Sequence, residues 1–279
     1  MVHNQHTLKK AYSFEGKGLH TGTYSHMQIL PAPAGTGIVF RRTDLPGCPE
    51  VPALAEYVTS TARSTTIACG EAQAVTIEHI MSTFMGLGVD NAVVELDNLE
   101  VPILDGSARL YLEAILPDGL QDQGVARSYT DIPFALEIRD QKSGSWVKIE
   151  PADAPSAQIT VDFNDPVLGI QTASWDQATD YAREFGPCRT FCFYREIEPM
   201  LSKGLIKGGD LSNALVVTDD GYMGDPVLHH PDECGRHKML DLLGDFRLAG
   251  SYLNARITAF KPGHTINTKA AKALRALLK

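Results

Sequence analysis

Two stretches of this chain run the same course. ILPAPAGTGIVFRRTDLP at 29–46 and IEPADAPSAQITVDFNDP at 149–166 each pass from an apolar residue to Pro-Ala, a short polar turn and a β-rich segment, and close on an acid and a Pro. Their offset is about 120 residues. A repeat that long marks a duplicated unit and not a solenoid.

The segments downstream of the two copies are also alike. In the first half, TIEHIMSTFMGL (76–87) reads as a helix, with Thr76 placed to cap it and Ile77, Ile80, Met81, Phe84 and Leu87 as its buried face. Gly86 and Gly88 stop it, and NAVVEL (91–96) reads as a buried strand. In the second half, DECGRHKMLDLLGDFRLA (232–249) begins on the capping acid Asp232 and buries Met239, Leu242, Leu243 and Phe246. Gly250 and the strand 255–260 come next. His79 lies off the apolar face of the first helix. His237, Asp241 and Asp245 form a stripe opposite that of the second, with Lys238 beside it. If the halves face each other, His79 comes close to His237 and Asp241, and all three could reach one metal ion. A polar stripe by itself is more often a solvated face; the second helix of similar build is what favours convergence.

Composition narrows the function. Hydrophobic residues at 43% and charged ones at 21% of 279 residues describe a globular chain. A net charge of −9 argues against a nucleic-acid partner. No basic cluster suits a membrane surface, no apolar run approaches the roughly 18 residues of a membrane helix, and the N-terminal residues lack the apolar core of a signal peptide. Stable membrane insertion is therefore not expected. Cys48, Cys69, Cys188, Cys192 and Cys234 are scattered with no CxxC pair, which suits free thiols in a reducing cytoplasm.

Elsewhere, GKGLHTG (16–22) reads as a turn between strands and is neither a phosphate loop nor a dinucleotide fingerprint. His20 in it is a minor site candidate. Residues 110–116 suit a short helix and 117–129 a linker. An aromatic run surrounds Thr190, residues 214–217 form a strand, and a final helix is expected from Asn267 or Thr268 after Lys261-Pro262-Gly263-His264.

The set EH (78–79), DGSA (105–108), CRTF (188–191), RHKMLDLLGD (236–245) and FKPGH (260–264), with GLHTG, TDL and DFN, resembles the UDP-3-O-acyl-N-acetylglucosamine deacetylases, zinc amidases of lipid A synthesis. The likeness covers essentially the whole chain. It implies an α+β fold of two related domains, 1–125 and 126–279, each a β-sheet packed on helices, forming a β-α-α-β sandwich. Each domain would carry a small insert, the second near 190–222. The implied reaction is hydrolysis of the N-acetyl group of UDP-3-O-acyl-N-acetylglucosamine to the free amine and acetate, the committed step of its pathway, by a cytoplasmic enzyme expected to be monomeric.

The resemblance also assigns residues. His79, His237 and Asp241 match the zinc ligands, leaving a coordination position open for water, as a catalytic site needs. Glu78 would be the general base and His264 the general acid, held as a cation by Asp245. Thr190 would help hold the oxyanion. Lys238 and Lys261 would meet the substrate's anionic groups, Asp162 and Phe163 the nucleotide, and Phe191 the sugar. Tyr194, Ile197, Ile206, Leu211 and Val216 would line an acyl channel. Ser145 departs from the family, which often has Lys before the equivalent of Trp146. Rival ligands are Cys234, His229 and His230. Alternatives to this activity are a zinc amidohydrolase acting on another acetylated sugar, or a nucleotide-sugar binding protein whose zinc is structural and closed by Cys234 or His230.

Overall fold

The computed structural model describes residues 3–277. Two main sheets share one strand order. In the first, Tyr12–Lys17, Tyr24–Pro31, Ala92–Leu96, Ile38–Arg42 and Glu50–Pro52 lie side by side. In the second, Leu136–Asp140, Ser145–Pro151, Tyr252–Phe260, Ser156–Asp162 and Ile170–Asp176 do the same. Successive pairs are antiparallel, antiparallel, parallel and antiparallel in both. The repeat read from sequence falls on the second and fourth strands of each sheet. The parallel partner is the strand that comes after the helix, so each crossover has to carry that helix over one sheet face.

Six α-helices are present among the described residues: α1 (Glu78–Leu87), α2 (Arg109–Ile115), α3 (Tyr181–Glu184), α4 (Tyr194–Ser202), α5 (Glu233–Arg247) and α6 (His264–Leu277). Ile77 at the cap of α1 and Ile80, Met81 and Phe84 within it pack on Met27, Ile29, Phe40 and Val94 of the first sheet. Met239, Leu242, Leu243 and Phe246 of α5 pack on Val147, Ile149, Ile159 and Val161 of the second. The two helices then lie back to back, which makes the sandwich β-α-α-β. They approach closely at Gly244, where a Cβ would stand 2.1 Å from the carbonyl oxygen of Glu78.

That arrangement decides between the two readings of the polar stripe, against a solvated face and for convergence. His79, His237, Asp241 and Asp245 are all buried, because the face of each helix turned away from its own sheet meets the other helix and not solvent. Other expectations change. The stretch 117–129 is no linker: Leu120–Ala126 pairs with Asn4–Leu8, and Tyr129–Asp131 runs parallel to the start of Tyr252–Phe260. Thr76 does not cap α1; it holds a left-handed φ of 59°, and its hydroxyl donates to Glu100 Oε1 at 2.7 Å. Asp232 stands at the cap position of α5, but its carboxylate accepts from Arg236 Nε at 2.7 Å instead of from the backbone. Helix α6 begins at His264, with the Asn267 N–H bonded to Gly263 O, so the Asn267 side chain can bond elsewhere. Gly88 ends α1 in the left-handed conformation, as its type suggests. Between α3 and α5, Phe191–Phe193 and Leu215–Val217 form a small parallel pair joined through α4. No helix among the described residues is long and apolar enough to cross a membrane.

Candidate metal centre

His79, on the first turn of α1, and His237 and Asp241, one turn apart on α5, converge from the two halves. One donor atom from each lies within 4.8 Å of the others. Asp241 Oδ1 is 3.4 Å from His237 Nε2 and 3.9 Å from His79 Nε2, and the imidazole rings meet edge to face at 5.0 Å. His237 Nδ1 donates to the carbonyl of Cys188 at 3.0 Å, which fixes the tautomer and leaves Nε2 with a lone pair turned toward Asp241. Asp241 Oδ2 accepts from Lys238 Nζ at 2.6 Å. Its Oδ1 is buried with no hydrogen-bond partner among the described residues. A carboxylate oxygen left bare between two imidazole nitrogens is costly unless a cation completes it. The donor set therefore fits a divalent ion. Burial drives the His79 pKa down to about 3 and lowers that of His237, keeping both neutral and able to ligate. Burial would raise the Asp241 pKa, but Lys238 and the three surrounding histidines hold it far below the carboxylate range.

A second cluster adjoins the first. Glu78 Oε2 accepts from the Thr65 N–H at 2.9 Å, and its Oε1 lies 3.8 Å from His264 Nε2. Burial raises the Glu78 pKa to about 7 although His264 pulls the other way. His264 Nδ1 donates to Asp245 Oδ2 at 3.0 Å, which also accepts from Asn267 Nδ2 at 3.0 Å, while Asp245 Oδ1 accepts from Thr65 Oγ1 at 2.6 Å. Burial alone would lower the His264 pKa; Asp245, Glu78 and Asp241 outweigh it and hold the group at about 9. At neutral pH the site thus holds a carboxylate near its titration point beside a protonated imidazole.

A family model for UDP-3-O-acyl N-acetylglycosamine deacetylases matches residues 5–276. The chain belongs to this family. A UDP-3-O-acyl-N-acetylglucosamine deacetylase of Trichormus variabilis is 40% identical over 98% of this chain and 99% of its own length. One from Myxococcus xanthus is 40% identical over 97% of this chain and 86% of its own. The bifunctional enzyme LpxC/FabZ of Porphyromonas gingivalis is 39% identical over 100% of this chain, which spans 65% of that relative's length.

In this member of the deacetylase family the rival ligands are held elsewhere. Cys234 is buried against the Tyr222 hydroxyl, His230 Nε2 meets the carbonyl of Arg183 at 3.1 Å, and His229, whose backbone N–H donates to Glu233, is not part of the His79, His237 and Asp241 group. Phe191 stands beside the centre, edge-on to His237 at 6.3 Å and to Phe163 at 5.5 Å, with Lys238 Nζ 5.6 Å from its ring centroid. Lys261, in a left-handed conformation, pairs with Asp162 at 3.2 Å. A cavity of about 350 Å³ opens nearby, walled by Thr190, Phe191 and His20 and by the apolar Ile197, Ile206, Leu211 and Val216. Tyr194 takes no part in that wall and is exposed. His20 is buried with neither ring nitrogen bonded among the described residues. Ser145 is buried at the start of the strand Ser145–Pro151, its hydroxyl accepting from that of Ser143 at 3.0 Å.

Several contributors left no mark in the sequence. Thr65 bridges Glu78 and Asp245, with Asn267 adding a third bond to the same acid. Glu100, fully buried, accepts from the N–H groups of His20 and Thr21 and so anchors the glycine turn at the cavity wall. Glu233 takes the guanidinium and N–H of Arg189, which sets the Cys188 carbonyl against His237.

Proposed function

We propose that this chain hydrolyses the N-acetyl group of UDP-3-O-acyl-N-acetylglucosamine, with zinc held by His79, His237 and Asp241. The observation that carries the reading is the unpartnered Asp241 Oδ1 facing two imidazole nitrogens, in a chain that belongs to the deacetylase family. Zinc so bound would supply Lewis acidity, polarising the amide carbonyl and acidifying a water.

The remaining chemistry falls to the chain. Glu78, its pKa raised by burial, takes the proton from the attacking water. His264 gives a proton to the departing amine; Asp245 orients it through Nδ1 and keeps it charged. The Thr190 hydroxyl donates to the oxygen on which charge develops. Lys238 and Lys261 offset the charge of the nucleotide diphosphate, Asp162 and Phe163 meet the nucleotide, and Phe191 packs on the sugar. Ile197 and Leu211 take the acyl chain in the 350 Å³ cavity, with His20 at its wall. The products are acetate and the free amino sugar of a lipid A precursor.

Two related domains, 1–125 and 126–279, are part of the same proposal, supported by the shared strand order of the two sheets. So are a monomer and a cytoplasmic setting, the latter favoured by five unbridged cysteines. The test is release of amine and acetate from the acylated UDP-sugar by wild type, His264→Ala and His237→Ala, with zinc content measured. His237→Ala should lose metal and activity. His264→Ala should keep its metal and lose turnover by roughly 10²–10⁴-fold. Near-normal turnover in His264→Ala would remove it from the acid role.

A further inference from the structure

A second polar cavity lies at the opposite end of α1 from the metal centre. Its volume is about 370 Å³, and its lining includes Asp90, Arg127, Arg247, Tyr252 and Arg275. Glu78 and His79 open α1, whereas Asp90 lies just past its C-terminus, so the ten residues of the helix, roughly 15 Å, separate the two sites. None of the metal-centre residues lines this cavity.

Charge in it is not balanced. Arg127 is clamped by Asp90 through Nε at 2.8 Å and Nη2 at 2.7 Å, and Asp90 is further engaged by the His6 N–H at 2.7 Å. Arg275 pairs with Glu56. Arg247 has no such acid. Its Nη2 donates to the carbonyls of Val89 and Asp90 at 3.3 and 3.2 Å, and among the described residues no carboxylate lies within 4.0 Å of it. Its Nε is unbonded although the residue is only 5% exposed. Tyr252, equally buried, carries a hydroxyl with no partner, its ring 4.3 Å from the Arg127 guanidinium and 5.2 Å from that of Arg247. A buried guanidinium without a counter-charge, next to an idle hydroxyl in a cavity, calls for an anion that accepts several hydrogen bonds.

We propose that this cavity binds a phosphoryl group, free or carried by a small molecule, with Arg247 as its counter-cation and the Tyr252 hydroxyl as a donor to it. Thr36 and Ser128 add hydroxyls to the lining, and the one acid there is already committed to Arg127. The space exceeds what a carboxylate needs, and a tetrahedral oxyanion offers enough acceptor oxygens for these donors at once.

Calorimetric titration of the metal-loaded protein with inorganic phosphate, then with glycerol phosphate, tests this. Wild type should bind phosphate saturably, and Lys261→Ala, altered at the other site, should bind it equally well. Tyr252→Phe should weaken binding roughly five- to tenfold, the loss of one hydrogen bond. It should fold as well as wild type, since the hydroxyl it removes has no partner. Arg247→Gln should abolish saturable binding; if that variant does not fold, Tyr252→Phe carries the test alone. Tighter binding of glycerol phosphate assigns the site to an organic phosphate and equal binding to the free ion, and both support it. No saturable binding at millimolar phosphate overturns the proposal, as does binding that Lys261→Ala removes and Tyr252→Phe leaves untouched.

Discussion

Replacing Gly244 by Ala tests the helix pairing on which the centre depends. The added Cβ would lie 2.1 Å from the Glu78 carbonyl oxygen and 3.1 Å from the Ser82 nitrogen. Both are backbone atoms of α1, so no side chain can swing aside. Relief requires the two helices to part by about 1 Å, for a carbon and an oxygen approach to roughly 3.2–3.4 Å at best. Overpacking of this kind costs about 1–3 kcal/mol. At roughly 2–4 °C per kcal/mol for a chain of this size, the melting temperature should fall by about 2–12 °C. The shift also separates His79 on α1 from His237 and Asp241 on α5, and a displacement of about 1 Å can cost roughly 10²-fold in rate. Thermal unfolding, zinc content and amide hydrolysis should be measured together. Gly16→Ala, whose Cβ would meet only Pro102 at an ordinary 3.6 Å, serves as the control and should change little. If Gly244→Ala melts and turns over like wild type, the close approach of the helices, and the centre built on it, is mistaken.

Three further outcomes are expected. With the base effective above its pKa of about 7 and the acid below about 9, kcat/KM should rise through the first and fall through the second, both limbs moving down when a dication is bound; Asp245→Asn, which removes the main charge holding His264 up, should bring the alkaline limb down by roughly 1–2 further units, and a pH profile with an unmoved limb would refute that role. Chelation should abolish turnover and lower the melting temperature of wild type, since an ion present at about 1,000 times its Kd stabilises by roughly 4 kcal/mol, whereas His237→Ala should not respond; calorimetric scans with and without chelator decide. Leu211→Trp, which narrows the 350 Å³ cavity, should raise KM for long-chain substrates far more than for short-chain ones, and an equal effect on both would detach the cavity from the acyl group.

Much of this molecule is written locally. Helical spacing of Ile77, Ile80, Met81 and Phe84, and of Met239, Leu242, Leu243 and Phe246, picks out the faces that meet the sheets, and the 120-residue echo anticipates their shared strand order. His237 and Asp241, one turn apart, are readable as a pair because a helix puts them on one face whatever surrounds it. The destination of that face is another matter. A helix pattern tells which side is polar and not what that side will touch; here it touches a second helix, which buries the acids and imidazoles and moves their pKa values. Thr65 and Asp245 are 180 positions apart, and neither residue's neighbours hint at the other. Gly244 reads as a weak point in a helix until Glu78 is seen against it. Residue type and short-range period settle what each segment can become; contacts between distant segments, which no local preference dictates, decide which polar atoms lose water and therefore which can do chemistry.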